Sequence, residues 1–221
     1  MRIKIDFLSP LCYNIAVGIA GIKRKGAFAL RVIAGTARGR RLKAPRGWPG
    51  RPTADRVKEA LFNILAARVP GSSFLDLFAG TGNVGIEALS RGAERAVFVE
   101  KDGRAVRAIE ENLAATGLEG RAQVLKRDMP AALAEMAGRN CFDLIFVDPP
   151  YGRALEKKAL DLIGGNGLLA SGGWVIVESG KREILPREAA GLILFRQERY
   201  GDTMLSLYVP AQPRRSDGRQ A

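Results

Sequence analysis

From residue 73 onward, short apolar runs alternate with amphipathic segments, and this alternation constrains the fold more than any other feature of the chain. The runs are "FLDLF" (74–78), "AVFVE" (96–100), "AQVLK" (122–126), "FDLIFV" (142–147) and "WVIVE" (174–178). They are short, rich in β-branched and aromatic residues, and separated by helical patterns, as parallel strands buried on both faces are. The sequence therefore predicts an α/β fold.

The last two apolar runs predict a different pairing. "LILFRQERY" and "MLSLYV" flank the dipeptide Gly201-Asp202, which is typical of a hairpin turn. We therefore expect a mostly parallel sheet whose last strand is antiparallel. The closing residues 211–221 contain too few apolar side chains to fold and are predicted to be a disordered tail.

Two elements are predicted ahead of the sheet. "RVIAGTARGRRL" (31–42) indicates a β-hairpin, which we expect to be solvated and to contribute little to the core. "RPTADRVKEALFNIL" (51–65) indicates a helix with Thr53 or Asp55 as its N-cap. Its apolar positions recur at helical spacing: Val57, Ala60, Leu61, Ile64 and Leu65. The expected organisation is an extension (1–30), a basic hairpin and helix (31–72), a catalytic domain (73–210) and the tail.

Positive charge is concentrated at the front of the chain. Residues 1–72 contain 15 Lys and Arg against 3 Asp and Glu, so the remainder holds 20 of each and is neutral. Such one-sided charge indicates a polyanion-binding surface, and nucleic acid is the expected partner. The candidate RNA-binding residues are Arg38, Arg40, Arg41, Lys43, Arg51 and Arg56. An apolar stretch at 11–22 is too short to span a bilayer, so no membrane partner is expected.

The absence of histidine and the low number of cysteines exclude several kinds of chemistry. The sequence has no histidine, which rules out an imidazole base and therefore the serine triad. Two cysteines form neither a disulfide framework nor a metal-spaced cluster. We expect a cytoplasmic protein with no metal site.

A glycine loop follows the first predicted strand. In "DLFAGTGNVG" (76–85) the glycines have the spacing G-x-G-x-x-G, and Glu100 follows at the end of the second strand. Glycine lets the backbone approach a ligand and adopt positive φ without strain. This loop alone leaves two ligands open, the pyrophosphate of a dinucleotide and the methionine end of a methyl donor.

The motif after the fourth strand decides between these ligands. "VDPPY" (147–151) resembles the [D/N/S]-P-P-[Y/F/W] signature of S-adenosylmethionine-dependent methyltransferases that act on exocyclic amines of bases. Asp148 and the Pro149 carbonyl can each accept one amine hydrogen and stabilise the positive charge that develops on nitrogen. Pro149 and Pro150 fix φ, and Tyr151 offers a stacking face for the base.

The donor contacts follow from the order of the strands. The candidate donor-binding residues are Asp76, Gly80, Gly82, Glu100, Asp128 and Met129. The two glycines would leave room for the methionine moiety of the donor. Asp76 would accept a hydrogen bond from the ammonium of that moiety, and Glu100 would accept from the ribose hydroxyls. Asp128 would accept a hydrogen bond from the adenine amine, and the Met129 N–H would lie against the adenine ring. The alternatives are that Asp76 is only a turn residue and Asp128 only a helix cap.

Several blocks together resemble one family. "RVIAGTARGRRL", "RPTADRVKEALFNIL", "DLFAGTGNVGIEALSRGA", "VFVEKD", "FVDPPY" and "YGDTMLSLY" are similar to the bacterial RsmD family of 16S rRNA guanine-N2 methyltransferases. The resemblance covers about residues 31–209. It implies a class I, Rossmann-like methyltransferase with a seven-stranded sheet and a β-hairpin extension, S-adenosylmethionine as donor, and the small ribosomal subunit as partner of a monomer. It also implies that Arg51, Thr53, Arg56 and Asn63 line the active-site rim or the amino-acid end of the donor.

The front of the chain departs from that family, whose members usually begin near Arg31. Residues 1–30 are then either a genuine extension or the result of a start site placed upstream of Leu30.

Two other functions remain open from the sequence. D-P-P-Y does not itself identify the base, so a DNA adenine-N6 or cytosine-N4 methyltransferase is one alternative. Such enzymes usually carry a target-recognition region, and this chain has only a short basic hairpin and helix. The second alternative is a non-enzymatic RNA-binding module, which the intact glycines, acids and D-P-P-Y disfavour.

Overall fold

A mixed β-sheet forms the centre of the molecule in a computed structural model, which describes residues 30–45, 55–139, 141–150 and 152–211. Its strands are β1 (Ser73–Asp76), β2 (Arg95–Glu100), β3 (Ala122–Lys126), β4 (Phe142–Val147), β5 (Leu169–Gly180), β6 (Glu188–Ala189), β7 (Leu192–Tyr200) and β8 (Thr203–Pro210). Their order across the sheet is β3-β2-β1-β4-β5-β8-β7-β6. Strands β1 to β5 pair in parallel. Strand β8 is antiparallel to both β5 and β7.

This topology confirms the predicted fold class. The hairpin at Gly201-Asp202 is also confirmed, because Tyr200 pairs with Thr203 across it. The described sheet has eight strands where seven were expected. The additional strand is the two-residue β6, which is too short to produce an alternating pattern in the sequence.

In the part of the chain that the structure describes, five α-helices connect or precede the strands. They are α1 (Asp55–Ile64), α2 (Asn83–Ser90), α3 (Gly103–Thr116), α4 (Met129–Met136) and α5 (Leu155–Gly165). In α3 the side chains of Val106, Ile109 and Leu113 are buried, and Gly117 ends the helix with φ of 69°. Among the residues that the structure describes, no helix is both long and apolar enough to cross a bilayer.

Helices cover the sheet on both faces, and side chains alternate between them along each strand. One cluster joins Phe74 and Phe146 of the sheet with side chains of α1, α2 and α3, so we call this side the α1 face. The other joins Leu75 and Ile145 with side chains of α4 and α5, so we call this side the α4 face. The alternation therefore decides on which face each polar side chain at a strand end lies.

The front segment is packed against the sheet domain, which corrects the expectation of a solvated hairpin. Arg31 and Arg41 form an antiparallel bridge, as predicted for a hairpin. However, Val32 and Leu42 are buried in the same cluster as the α1 face. At Gly35, where φ is 84°, a Cβ would overlap the Ser90 backbone carbonyl, so only glycine permits this approach.

The correction has a physical reason. The buried apolar residues of the hairpin are irregularly spaced, so neither strand nor helix periodicity reveals the buried side. The domain boundary predicted between residues 72 and 73 stays a prediction, and the described residues on its two sides share one core cluster.

Candidate functional site

Three carboxylates line up at the carboxyl ends of adjacent strands. Asp76 ends β1 and pairs with Phe146 of β4. Asp148 and Glu178 each follow the paired residues Val147 and Val177. Alternation places all three on the α1 face, with neighbouring strands about 4.8 Å apart. We call Asp76, Asp148 and Glu178 the acid row.

Burial and mutual repulsion make the acid row reluctant to ionise. Burial raises the pKa of Asp76 to about 7, although the Gly85 N–H that it accepts opposes this shift. Burial likewise raises the pKa of Glu178 to about 7. The pKa of Asp148 lies well above its ordinary value, first because of burial and then because of the charges of Glu178, Asp76 and Glu156. The row can therefore accept hydrogen bonds, absorb developing positive charge and hold a proton near neutral pH.

The D-P-P-Y loop begins at this row. Asp148 is half-buried, Pro149 is buried and Pro150 is exposed, while Tyr151 lies outside the described residues. The buried Pro149 is held by the fold and Pro150 faces outward. The catalytic roles of these residues stay predictions.

Glu183 fastens the far end of the loop, and the sequence pattern did not indicate it. One of its carboxylate oxygens accepts the Gly152 N–H at 3.1 Å, and the other accepts the Gly180 N–H at 3.1 Å. The loop after β4 is thereby tied to the end of β5. A fixed loop is what positioning a base requires.

The glycine loop connects β1 to α2 and takes the conformation that its sequence predicts. Gly80 and Gly82 have φ of 55° and 76°, values that favour glycine. The half-buried Glu100 supports the loop, because one carboxylate oxygen accepts the Gly80 N–H at 2.9 Å and the other accepts the Asp102 N–H at 2.8 Å. Glu100 lies at the end of β2, as predicted, while its contact with the ribose of a donor stays a prediction.

Asp76 and Gly85 lie beneath this loop. The buried Asp76 carboxylate accepts the Gly85 N–H at 2.9 Å, which ties the end of β1 to the first turn of α2. A Cβ at Gly85 would overlap the Phe98 ring, so the third glycine of the motif allows α2 to pack on β2. Asp76 thus supports the loop from within, and its contact with a donor stays a prediction.

Asp128 has the capping role that the sequence left open. Its side chain accepts the Ala131 N–H at 3.0 Å and caps α4, in which Pro130 occupies the first turn. The Met129 side chain is buried, so its main chain is the part left for a ligand. A contact of either residue with adenine stays a prediction.

The basic residues predicted to bind RNA are largely solvated. Among the described residues, the exposed candidates are Arg38, Arg40, Arg41, Lys43 and Arg56, while Arg51 lies outside the described chain. Lys43 forms an ion pair with Glu111 at 3.1 Å. It also borders a groove of about 320 Å³ lined by Arg104 and Arg107 of α3. Positive charge thus extends from the hairpin to the first half of α3.

A buried ion pair, which sequence analysis missed, joins the hairpin to the glycine loop. Lys58 of α1 lies 3.3 Å from Glu87 of α2, and both side chains are 0% exposed. The Lys58 ammonium also donates to the Arg31 carbonyl at 2.7 Å and to the Asn83 side-chain oxygen at 2.6 Å. Burial lowers the pKa of Lys58 despite the attraction of Glu87. The pair therefore depends on this dense set of hydrogen bonds.

Asn112 makes a second such connection. Its amide accepts the Lys43 N–H at 2.7 Å and donates to the carbonyls of Lys43 and Thr81, each at 3.0 Å. The front segment and the glycine loop are thus held together at two points. The sequence does not indicate these contacts, because Asn112 lies 31 positions from Thr81 and 69 positions from Lys43 in the chain.

Comparison with known proteins identifies the family. A family model described as "Conserved hypothetical protein 95" matches residues 30–209. The Escherichia coli protein named Ribosomal RNA small subunit methyltransferase D is 38% identical over 183 residues, which cover 83% of this chain and 91% of that protein. The chain belongs to this family. The resemblance to the RsmD family that the motifs indicated is therefore confirmed.

Further RsmD relatives agree. The Bacillus subtilis protein YlbH is 41% identical over 180 residues, covering 81% of this chain and 98% of that protein. The solved structure of yhhF from Escherichia coli superposes with a TM-score of 0.72 at 38% identity, covering 83% of this chain and 99% of that one. The RsmD match thus extends over the described hairpin and the whole sheet.

Proposed function

We propose that this RsmD-family chain transfers a methyl group from S-adenosylmethionine to the exocyclic N2 amine of a guanine in 16S rRNA of the small ribosomal subunit. The observation that carries the proposal is the pairing of β1 with β4, in which the Leu77 N–H donates to the Phe146 carbonyl at 3.0 Å. This pairing sets the glycine loop beside Asp148. The loop that would bind the donor and the acid that would bind the amine therefore lie at the same carboxyl-terminal end of the sheet.

The glycine loop suits the methyl donor. S-adenosylmethionine supplies an electrophilic methyl group on a sulfonium. Gly80 and Gly82 leave room for its methionine end, and Glu100 can accept from the ribose hydroxyls through the lone pairs that its two backbone contacts leave free. Because those backbone contacts already hold Glu100 in place, little side-chain entropy is lost when a ligand binds.

Asp148 and Pro149 would orient the amine. The N2 lone pair of guanine is delocalised into the ring, so the amine is a weak nucleophile and must be aimed at the methyl group. The Asp148 carboxylate accepts one amine hydrogen and the Pro149 carbonyl accepts the other. Such orientation can lower the barrier by about 7 kcal/mol or more.

The acid row offers a destination for the proton that the methylated amine loses. The pKa of Asp148 is raised by burial and by Glu178, Asp76 and Glu156, so its carboxylate takes up a proton more readily than an exposed aspartate. Water is the competing acceptor. In either case Asp148 stabilises the positive charge while it develops.

A labelled-donor assay with a panel of polymers tests the proposal. Small-subunit particles, naked 16S rRNA and double-stranded DNA are each incubated with the protein and methyl-labelled S-adenosylmethionine. We expect label in the particle or the rRNA and none in DNA. Label in DNA alone would favour a DNA methyltransferase, and no label in any polymer would favour a non-enzymatic module.

Glu100→Ala is expected to weaken donor binding by roughly 1–3 kcal/mol through loss of charge-assisted hydrogen bonds to ribose. Turnover should recover at saturating donor, because Glu100 does not contact the amine. Isothermal titration with S-adenosylmethionine measures the affinity, and Glu110→Ala on the exposed side of α3 is the control. An unchanged dissociation constant would show that Glu100 only supports the loop.

Replacing Arg38, Arg40 and Arg41 together by alanine is expected to flatten the salt dependence of RNA binding. Three lost phosphate contacts would reduce the log–log slope by about 2. The three side chains are exposed, so the fold should persist although the hairpin backbone is packed. Filter binding of rRNA across a salt series measures the slope.

A second variant controls for net charge. Alanines at Arg139, Lys157 and Lys158 remove the same number of exposed charges beside the α4 face. They should leave the slope unchanged. Equal slopes in the two variants would mean that the hairpin arginines only raise solubility.

A further inference from the structure

We propose that Glu178 is a specificity-determining residue, whose carboxylate accepts the N1–H of the target guanine beside Asp148. The inference rests on the proposed function and deepens it. Its basis is the parallel register of β4 and β5, in which Val147 pairs with Val177. The next residues, Asp148 and Glu178, therefore lie side by side on the α1 face, about 4.8 Å apart between strands.

Glu178 has the properties of a group that awaits a ligand. It is only 4% exposed, and its Oε2 has no hydrogen-bond partner among the described residues. Buried carboxylate oxygens are rarely left without a donor in folded proteins, because the lost hydration is costly. No cation forms an ion pair with Glu178 in the described chain. A purely structural residue at this position would be served better by an apolar side chain.

Glu178 contrasts with Asp76 and Glu183, two other carboxylates near the loop, whereas Glu156 at the start of α5 shares with it a buried oxygen that has no partner among the described residues. Asp76 accepts a backbone N–H beneath the glycine loop, and Glu183 accepts one from Gly152 after the D-P-P-Y motif and one from Gly180 of β5. Both carboxylates therefore have a structural role in holding the backbone. Glu178 has no such contact in the described chain and lies directly beside the acid that is placed to receive the amine.

The chemistry of the base edge favours guanine at such a pair. Guanine presents N1–H and the N2 amine as adjacent donors, so two neighbouring carboxylates can accept from them together. Adenine and cytosine present a ring-nitrogen acceptor beside their exocyclic amines. A carboxylate facing that acceptor would place two hydrogen-bond acceptors against each other, with no donor for either. In its ionised form, Glu178 would therefore admit guanine and reject adenine and cytosine.

The contact also assists the reaction. As the N2 lone pair forms the bond to the methyl carbon, the carbon–sulfur bond breaks and its electron pair stays on sulfur. Positive charge develops on N2 and makes the neighbouring N1–H more acidic, so the hydrogen bond from N1–H to the Glu178 carboxylate strengthens. One N2 proton then leaves to Asp148 or water, and the N1–H remains on the base. Glu178 thus gains strength as an acceptor in the transition state.

The test exchanges donor and acceptor on both sides. The guanine that the wild-type protein methylates is first located in the product rRNA. That position is then synthesised with guanine or with 2-aminopurine, which keeps the N2 amine but carries an acceptor at N1, and is built into rRNA and small-subunit particles. Wild type should prefer guanine strongly. Glu178→Gln, whose amide can donate to an N1 acceptor as well as accept from N1–H, should lose most of the preference for guanine, chiefly by gaining activity on 2-aminopurine.

Glu119→Gln, an exposed residue before β3, is the control variant and should keep the wild-type preference. Donor affinity and thermal unfolding of Glu178→Gln should match wild type. Equal losses on the two bases, or a preference that stays at the wild-type value, would overturn the inference while leaving guanine methylation intact. If wild type forms no N2-methylguanosine at all, the proposed function fails and the inference fails with it.

Discussion

Replacing Asp148 by alanine is expected to lower kcat by about 10²–10³-fold or more, because the variant loses the hydrogen-bond acceptor that aims the amine and stabilises the positive charge developing on it. Donor affinity should remain near wild type, since the partner of Asp148 is the base. The fold should also persist, because burial and the neighbouring charges of Glu178, Asp76 and Glu156 already disfavour an ionised Asp148. Single-turnover methylation paired with isothermal titration separates the two effects.

Asp161→Ala provides the control for this experiment. Asp161 forms an ion pair with Lys157 on α5 and lies away from the acid row. It should leave both turnover and donor affinity unchanged. Near-normal turnover in Asp148→Ala would show that the carboxylate has no catalytic role, whatever its position in the motif.

Replacing Lys58 by methionine is expected to destabilise the protein by about 3–5 kcal/mol, because removing one member of a buried pair leaves the other charge poorly compensated. Glu87 would keep the hydrogen bonds from Ile33, Ala34 and Arg91 but lose its buried cation. Asn83 and the Arg31 carbonyl would also lose a donor. Urea unfolding measures the loss.

The exposed pair on α5 offers a matched comparison. Lys157 lies 2.9 Å from Asp161, closer than Lys58 lies to Glu87, yet both side chains are solvated. Lys157→Met should therefore cost less than about 0.5 kcal/mol. If Lys58→Met costs no more than Lys157→Met, the buried network is not what joins the hairpin to the glycine loop.

The sheet could be predicted from the sequence because parallel strands are buried on both faces and stand out as apolar runs. The glycine loop and the D-P-P-Y motif could be located for a related reason, since each directly follows one of those runs. Strand β6 could not be predicted, because two residues are too few to show the alternation of apolar and polar side chains that marks a strand. The packing of the hairpin was missed because it depends on contacts with α1 and α2 that are distant in sequence.

The acid row shows where prediction from sequence ends. Glu178 continues the strand "WVIVE", and nothing in that pattern separates a solvated final residue from a buried acid. Only the register of β5 against β4 sets it beside Asp148. Likewise, the sequence does not distinguish Lys58 from a solvated lysine on a predicted helix, because its partner Glu87 comes from another helix.

Identification of the methylated nucleoside shows directly whether the protein methylates the N2 amine of guanine. Small-subunit particles or 16S rRNA are methylated by the wild-type protein with labelled S-adenosylmethionine, digested to nucleosides and separated against standards. The expected result is label in N2-methylguanosine, formed at least about 100-fold more slowly by Asp148→Ala. Label in N6-methyladenosine or N4-methylcytidine, or in N2-methylguanosine formed equally well by Asp148→Ala, would contradict it.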